Sequence, residues 1–469
     1  MNFVAFVIGV ALPTLTGWAL LRSIEGNAPV LGRVERWAAG AALGITLTMW
    51  LAFVAHVTVG LPFSRLGFAG VELLALAACG GFWLWRKPSG QSPVLPASDP
   101  RPWWEVIVWV LLAFSVAKVI VAATTFLLLT PTYLDDTLDN WNLRGKVYFE
   151  DQTLTLVMPG EDPVTSPKGV SSYPPAVPLF KASLAAFAGE WTDPLINAPH
   201  ALWFALSTVL LYAAVRKRLA RRWALLAAYA YLAMPLATMH GTNPYADVFV
   251  SVHVFLAASW TLDAVQERDP ARMQSRFLLL GLAFAALSFT KNEGIVLYLP
   301  PLVLILLVAF ALRLRAKTID VRAAFFPLLR AALPLLVVAL PWLIFKWSNG
   351  LTFGNAKAFS DFSIYWRENV LLSVAINTFL EGNWLLLFPL LFGLLAWRWR
   401  TAWHTYLPLS AFLAIVYIGQ LLIFLFTDLA VEALMQTGYA RGLIQLLPCI
   451  VLLTTLLLEN AVREEDLSS

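Results

Sequence analysis

An all-α fold, a polytopic transmembrane bundle of about 13 spans, is what this sequence predicts, and three observations predict it. Hydrophobic residues fill 59% of the 469 positions and charged residues only 13%, giving a mean hydropathy of +0.71, too apolar for a soluble domain. Apolar runs of roughly 20 residues, long enough to cross a bilayer as a helix, recur along the whole chain. Between them the basic residues form short clusters, as topology determinants do. The formal charge of +4 therefore marks loops and not a nucleic-acid partner.

The runs lie near 2–22, 38–60, 67–85, 105–130, 195–215, 223–240, 245–265, 277–291, 294–313, 325–346, 384–398, 404–427 and 443–459. The first, within MNFVAFVIGVALPTLTGWALLRS, lacks a basic leader and is followed by arginines, so it reads as a span rather than a cleaved signal peptide. Arg22, Arg33 and Arg36 follow span one, and Arg86, Lys87 and Arg101 follow span three. RKRLARR (216–222), RDPARMQSR (268–276), RLRAK (313–317) and RWR (398–400) occupy every second loop thereafter. Basic loops are cytoplasmic, which puts the N-terminus outside and the C-terminal tail inside. The Pro-rich stretch RKPSGQSPVLPASDPRPWWE (86–105) separates an appended three-span unit, 1–104, from a core, 105–469. Cys79 and Cys449 sit within apolar runs and read as packing residues, not a disulfide framework.

Polar residues gather in the other set of loops. An amphipathic outer-face loop, 131–194, opens with TYLDDTLDNWNLRGKVYFED (132–151). In helical conformation Asp135 and Asp139 share a face, and two carboxylates so placed repel unless a cation, an arginine or a substrate hydroxyl compensates them. An uncompensated carboxylate has a raised pKa, which suits a general base; the structural alternative is that Asp135 or Asp136 caps a helix. Charged residues are scarce here, so a long loop carrying several beside Trp141 points to function. In NPYAD, Asn243 reads as an N-cap with Pro244 at the first helical position and Asp247 in the first turn. In TKNEG, Lys291 reads as a last-turn cation, free to bind phosphate, with Gly294 as the helix cap. Lys118, inside the fourth run, is either functional or a snorkelling residue. His200, His240 and His253 lack metal-ligand spacing, and no Gly-rich phosphate loop or G-x-S-x-G elbow is present, so nucleotide hydrolysis and serine-esterase chemistry have no support.

With those residues in view, the chain resembles the membrane-integrated glycosyltransferases of the GT-C superfamily, especially bacterial relatives of the protein O-mannosyltransferase and aminoarabinose-transferase type. DDTLDNWNLRGK is similar to that family's first outer loop, an acidic pair followed by an aromatic and a basic residue. YPPAVPLFKA (173–182) resembles its Pro-Pro element at the start of the next embedded helix. YARGLIQLLPCIVLL, from Tyr439, looks like part of its C-terminal motif, with Gly442 and Gln445 where an aromatic and a proline are commoner. Four spans precede the acidic loop here, where the family usually has one.

The resemblance implies an inner-membrane enzyme that moves a sugar from a polyprenyl-phosphate donor to an envelope glycan, lipid or protein. Asp135 or Asp136 is then the base. Arg441 and Lys291 are the phosphate contacts, with Lys146, Lys357 and Arg144 in reserve, and Asp139, Trp141, Tyr173, Pro174, Asp247 and Glu293 line the pocket. The cofactor is left unassigned, with a divalent cation beside Asp135 and Asp136 as one way to balance the pair. A transporter or flippase for a lipid-linked saccharide is the competing class; it needs charge or broken helices near the midplane, where the sequence offers Lys118.

Overall fold

The computed structural model describes residues 3–90, 92–93, 95–96, 102–160, 169–353, 363–364 and 366–468; Lys357 lies outside them. Among the described residues the chain is helical, with one isolated β-bridge between Ile364 and Thr427. Helices α1 (Phe3–Glu25), α2 (Arg33–Val59) and α3 (Arg65–Arg86) pack as a trio. A Cβ on Gly17 would sit 2.0 Å from the Gly40 carbonyl oxygen, and one on Gly44 would sit 2.0 Å from that of Pro13. Only glycine lets the backbones of α1 and α2 meet so closely, as small residues do where membrane helices cross.

At the start of the Pro-rich stretch, the carbonyls of Pro88 and Gly90 accept from Arg22 Nη2 on α1 at 2.9 and 2.8 Å. The stretch leads into α4 (Trp103–Ala123), pinned at its start by a Glu105–Arg221 ion pair of 2.6 Å. Most other α4 side chains face outward, Lys118 among them. A π-helical turn, Thr124–Leu129, ends this span.

The stretch read as an outer loop is largely folded into the body of the protein. A second π-helical turn (Thr137–Trp141) runs into α5 (Asn142–Asp151); a short turn at Val170–Ser172 and the pair Pro174–Pro175 then lead into α6 (Ala176–Ala188) and α7 (Asp193–Asn197). Helix α6 is buried from Ala176 to Ala186 because it is apolar on all sides. Its one charge, Lys181, donates to Asn142 Oδ1 at 2.5 Å.

Helices α8 (Pro199–Arg216), α9 (Arg221–Ala233), α10 (Pro235–Gly241), α11 (Asp247–Gln266), α12 (Pro270–Ser288), α13 (Leu299–Arg315) and α14 (Val321–Ser348) follow, then α15 (Val370–Phe379), α16 (Leu387–Trp397), α17 (Trp399–His404), α18 (Leu407–Phe426), α19 (Ala430–Leu434) and α20 (Gly438–Ser468). Ten helical stretches among the described residues are long and apolar enough to cross a membrane. They coincide with ten of the expected spans. The run at 223–240 breaks at Met234, since Pro235 cannot donate into the α9 ladder. Helix α16 has only 11 residues, and α12 opens on the polar PARMQSR. Two capping assignments also differ. Helix α11 starts at Asp247 without a side-chain cap, and Asn243 Nδ2 instead donates back to the Met239 carbonyl at 2.7 Å. Gly294 does not cap α12 but opens a third π-helical turn, Gly294–Tyr298.

Residues 1–104 share the core of the rest. Helix α1 packs on α6 and α12, and α2 packs on α8. Thr46 Oγ1 lies 2.8 Å from His253 Nε2 on α11, and Trp50 Nε1 donates to the Val338 carbonyl on α14 at 3.0 Å.

Helix α11 stands at the centre, with every residue from Asp247 to Ala264 buried. A helix apolar on every face is stable only inside other helices. Its two aspartates, Asp247 and Asp263, mark its ends, about 24 Å apart at 1.5 Å per residue. Asp263 is held by Arg218, by Lys217 and by Arg276 at 3.1 Å. Lys217 also pairs with Glu35 on α2 at 3.0 Å, and Glu35 accepts from Trp260 Nε1 at 3.0 Å. The basic loops thus converge at one face of the bundle.

The close crossing of α1 and α2 makes a prediction. Gly44→Val drives a branched side chain into the α1 backbone, and overpacking of this kind costs about 1–3 kcal/mol. Thermal unfolding of the detergent-purified chain is expected to shift several degrees downward, whereas Gly70→Val on α3, where an added Cβ meets nothing within 4 Å, leaves it unchanged.

Candidate active site

At the opposite end of α11, four separate segments bring charges together around Asp247. Arg441, in the first turn of α20, donates through Nε to Asp247 Oδ2 at 2.8 Å and through Nη2 to Asp136 Oδ2. Gln445, one turn further along α20, donates to Asp247 Oδ1 at 2.8 Å. Lys291 Nζ stands 3.4 Å from the same oxygen and 3.2 Å from Glu293 Oε1. Positions 441 and 445 share a face of α20, so one helix delivers both donors. His240 Nδ1, 3.6 Å from Asp247 Oδ2, is too far for a hydrogen bond.

The cluster is graded in exposure. Asp247 is fully enclosed and Lys291 nearly so, while the Arg441 and Asp136 side chains keep 25% and 32% of their surface open. The open end is where a ligand can enter. Around Lys291 the walls are aromatic: its Nζ lies 5.8 Å from the Trp141 ring centre and 5.6 Å from that of Tyr173, close enough for cation–π attraction. Burial works against the Lys291 charge, but Glu293 and Asp247 outweigh it and hold the ammonium above its usual pKa. The Tyr173 phenol is pushed up, first by burial and then by Glu293; Glu432, near Arg441, is also raised, chiefly by burial. Two π-helical turns border the cluster, Thr137–Trp141 after Asp136 and Gly294–Tyr298 after Glu293, and such turns recur at functional sites.

Of the residues singled out from the sequence, Asp136, Trp141, Tyr173, Asp247, Lys291, Glu293 and Arg441 meet here. Pro174 is buried beside Tyr173 at the entry to α6. Asp135 and Asp139 are exposed, and Asp135 Oδ1 accepts from the Asp136 amide at 2.7 Å, a local cap. Arg144 is in the interior but turned to other partners: it donates to the Tyr173 carbonyl at 2.8 Å and to Tyr148 Oη at 3.2 Å. Lys146, two positions along α5 and thus nearly opposite on the helix, is exposed and stands 3.7 Å from Glu150. Neither is part of the cluster. The counter-charge for Asp136 is Arg441, and among the described residues no three His, Cys, Asp or Glu side chains are placed to share an ion.

Several residues of the site carried no sequence signal of their own. Gln445 stands where the resemblance led one to look for a proline, and it is a direct partner of Asp247. Behind it Tyr298 Oη donates to Gln445 Oε1 at 2.6 Å, and Gln420 Nε2 donates to Tyr298 Oη at 3.3 Å. Lys346, at the end of α14, donates to the carbonyls of Ser172 and Thr352 at 2.5 and 2.7 Å and to Asn292 Oδ1 at 3.1 Å. It ties the segment before Tyr173 to the one that carries Lys291. A lysine ending an apolar span looks, in sequence, like an interface anchor.

With this geometry in place, comparison with solved structures gives matches that include two structures of one protein. ArnT from Cupriavidus metallidurans in the apo state superposes with a TM-score of 0.51 at 16% identity, over 76% of this chain and 60% of that one. The same protein bound to undecaprenyl phosphate gives a TM-score of 0.50 at 15% identity, with the same coverage. The fold is that of ArnT. This chain thus spans about 60% of the length of the ArnT structures it matches. Residues 172–345 also match the family model described as dolichyl-phosphate-mannose-protein mannosyltransferase. That segment includes Tyr173, Pro174, Asp247, Lys291 and Glu293, and leaves Asp136 and Arg441 outside. No curated protein sequence matches the chain.

The arrangement predicts that Asp247 is the keystone of the cluster. Asp247→Asn keeps the shape but removes the charge shared by Arg441 and Lys291, and breaking a buried ion pair from one side costs about 3–5 kcal/mol. A marked fall in the unfolding temperature of the purified variant is expected, larger than that of Asp139→Asn on the exposed surface.

Proposed function

We propose that this protein is a membrane glycosyltransferase that takes a sugar from a polyprenyl-phosphate donor and gives it to an envelope acceptor, with inversion, on the membrane face that carries Asp136 and Arg441. The observation that carries the reading is the convergence of Asp136, Asp247, Arg441 and Lys291 at one end of the bundle, closed inside and open outside. The GT-C fold and the undecaprenyl phosphate bound to ArnT support it. A lipid-linked donor also accounts for chemistry placed at the end of a helix bundle within reach of the bilayer.

In the proposed step the acceptor hydroxyl loses its proton to a carboxylate as its oxygen bonds to the anomeric carbon. The bond from that carbon to the donor phosphate breaks, and the lipid phosphate departs with the bonding pair. Arg441 and Lys291 stabilise the charge that develops there, and arginine suits the role because its fork holds two phosphate oxygens at once. Asp136 is favoured as the base over Asp135, since it faces the cluster while Asp135 caps its own backbone. Arg441 Nη2 donates to Asp136 Oδ2. A donor phosphate competes with that carboxylate for the guanidinium, and drawing it away leaves the Asp136 oxygens free to accept the acceptor's proton. The transporter reading loses its sequence support, because Lys118 faces away from the bundle interior.

Asp136→Asn is expected to lower sugar transfer about 10² to 10⁴-fold, as loss of a general base does, with the protein still folded; turnover of the purified variant close to wild type overturns the assignment. Arg441→Lys is expected to bind a polyprenyl phosphate more weakly than wild type despite the conserved charge. Equal affinity in a folded variant moves the phosphate site elsewhere.

The proposed orientation, with this face outside the cytoplasm, rests on the alternating basic loops. In whole cells an impermeant thiol reagent is expected to label a cysteine placed at Asp151 and to spare one at Lys317. The reverse pattern inverts the topology.

A further inference from the structure

The face opposite the candidate active site holds a second feature that the proposed reaction does not use. Where the start of α12, the end of α13 and the start of α14 come together, they enclose a cavity of about 810 Å³ lined by Arg268, Arg313, Arg322 and Arg330, with Met273 and Phe326 among its apolar walls and Asp320 as its one acidic residue. Four guanidiniums around one cavity repel each other, and a single carboxylate leaves a net positive charge. Arg313 Nη2 donates to the Glu267 carbonyl at 3.3 Å, yet its Nε and Nη1 are buried without a hydrogen-bond partner. Arg313 is half-buried as a residue, but donors enclosed and unmet in this way are costly unless an acceptor arrives, and the volume lies within the roughly 300–1,000 Å³ typical of small-molecule sites.

The surroundings say what kind of acceptor fits. Phe326 is 53% exposed, and Leu329 and Leu333 continue the same exposed face along α14. The basic cavity is therefore continuous with an apolar stripe suited to acyl chains. Helix α12, 19 residues long, separates the cavity from Lys291 by about 28 Å, roughly the thickness of a bilayer core. From charge, unmet donors, volume and the adjoining stripe, we infer that this cavity is a binding site for the phosphate headgroup of an anionic phospholipid of the leaflet opposite the candidate active site. Basic pockets between transmembrane helices take such headgroups. Arg313 and Arg330 supply inner contacts, while Arg268 and Arg322 close the rim.

The test is native mass spectrometry of the full-length, detergent-purified protein with phosphatidylglycerol, phosphatidylcholine, undecaprenyl phosphate or inorganic phosphate. Wild type is expected to retain phosphatidylglycerol in clear preference to phosphatidylcholine. Each basic side chain near an anionic surface contributes about fivefold, so the variant Arg313→Gln/Arg322→Gln/Arg330→Gln is expected to lose at least about tenfold of that retention. Should the triple variant not fold, Arg322→Gln alone, at an exposed position, carries the test with a drop of about fivefold. Equal retention of the two phospholipids by wild type, or unchanged retention of phosphatidylglycerol by the variants, overturns the proposal. So does displacement of the phospholipid by inorganic phosphate, which makes this a free-anion site, or arginine-dependent retention of undecaprenyl phosphate above phosphatidylglycerol, which makes it a polyprenyl site.

Discussion

A helix buried on every side has nowhere to place a charge except its ends, and α11 places an aspartate at each. Asp247 draws Arg441, Gln445 and Lys291 to one face; Asp263 draws Lys217, Arg218 and Arg276 to the other. A carboxylate in the interior is costly when bare and tolerable only when its partners are present and oriented. The helices that bring those partners, α20 and α12 together with the loop after α8, are thereby fixed in height relative to α11. Packing alone leaves apolar helices free to slide along one another; charge pairs at both ends of the central one do not.

The two ends differ in what surrounds the carboxylate. At Asp263 the cations and the flanking Glu35 and Glu267 close on each other, and Trp260 seals the network from within the helix. At Asp247 the chain of contacts leads outward through Arg441 to Asp136, which is partly open. The same kind of pairing serves as a staple at one face and, with one partner left accessible, as a site at the other. The π-helical turns beside Asp136 and Glu293 belong to this second arrangement, since each widens a helix by one residue just where a side chain has to be re-aimed.

Much of this was legible in the sequence, for physical reasons that also explain what was not. Helix class and ten spans follow from apolar run length, which the bilayer enforces. Asp136, Lys291 and Arg441 stood out because a charge is rare in such a chain. The run at 223–240 misled because hydropathy does not register the missing amide of Pro235. The stretch 131–194 reads as a surface loop from its Asp-rich opening, and nothing local announces that α6 is buried. Lys146 and Arg144 have equal standing in sequence, and only the turn of α5 sends one to solvent and the other to Tyr173. Gln445 showed only as a departure from the resembled motif and Lys346 not at all, because their roles depend on partners far away in the chain.

That distance has a consequence for how the protein is made. Arg441 reaches Asp247 across 194 residues and Asp136 across 305. A ribosome delivers α20 after the segments that carry Asp136, Asp247 and Lys291, so those three emerge into the membrane before the residue that joins them. Contacts of such long range form late, after the segments between them are ordered. Helix α20 thus closes the cluster late, and a chain interrupted before Arg441 holds an acidic end of α11 with no arginine to pair with it. Closure of the cluster therefore waits on the synthesis of α20.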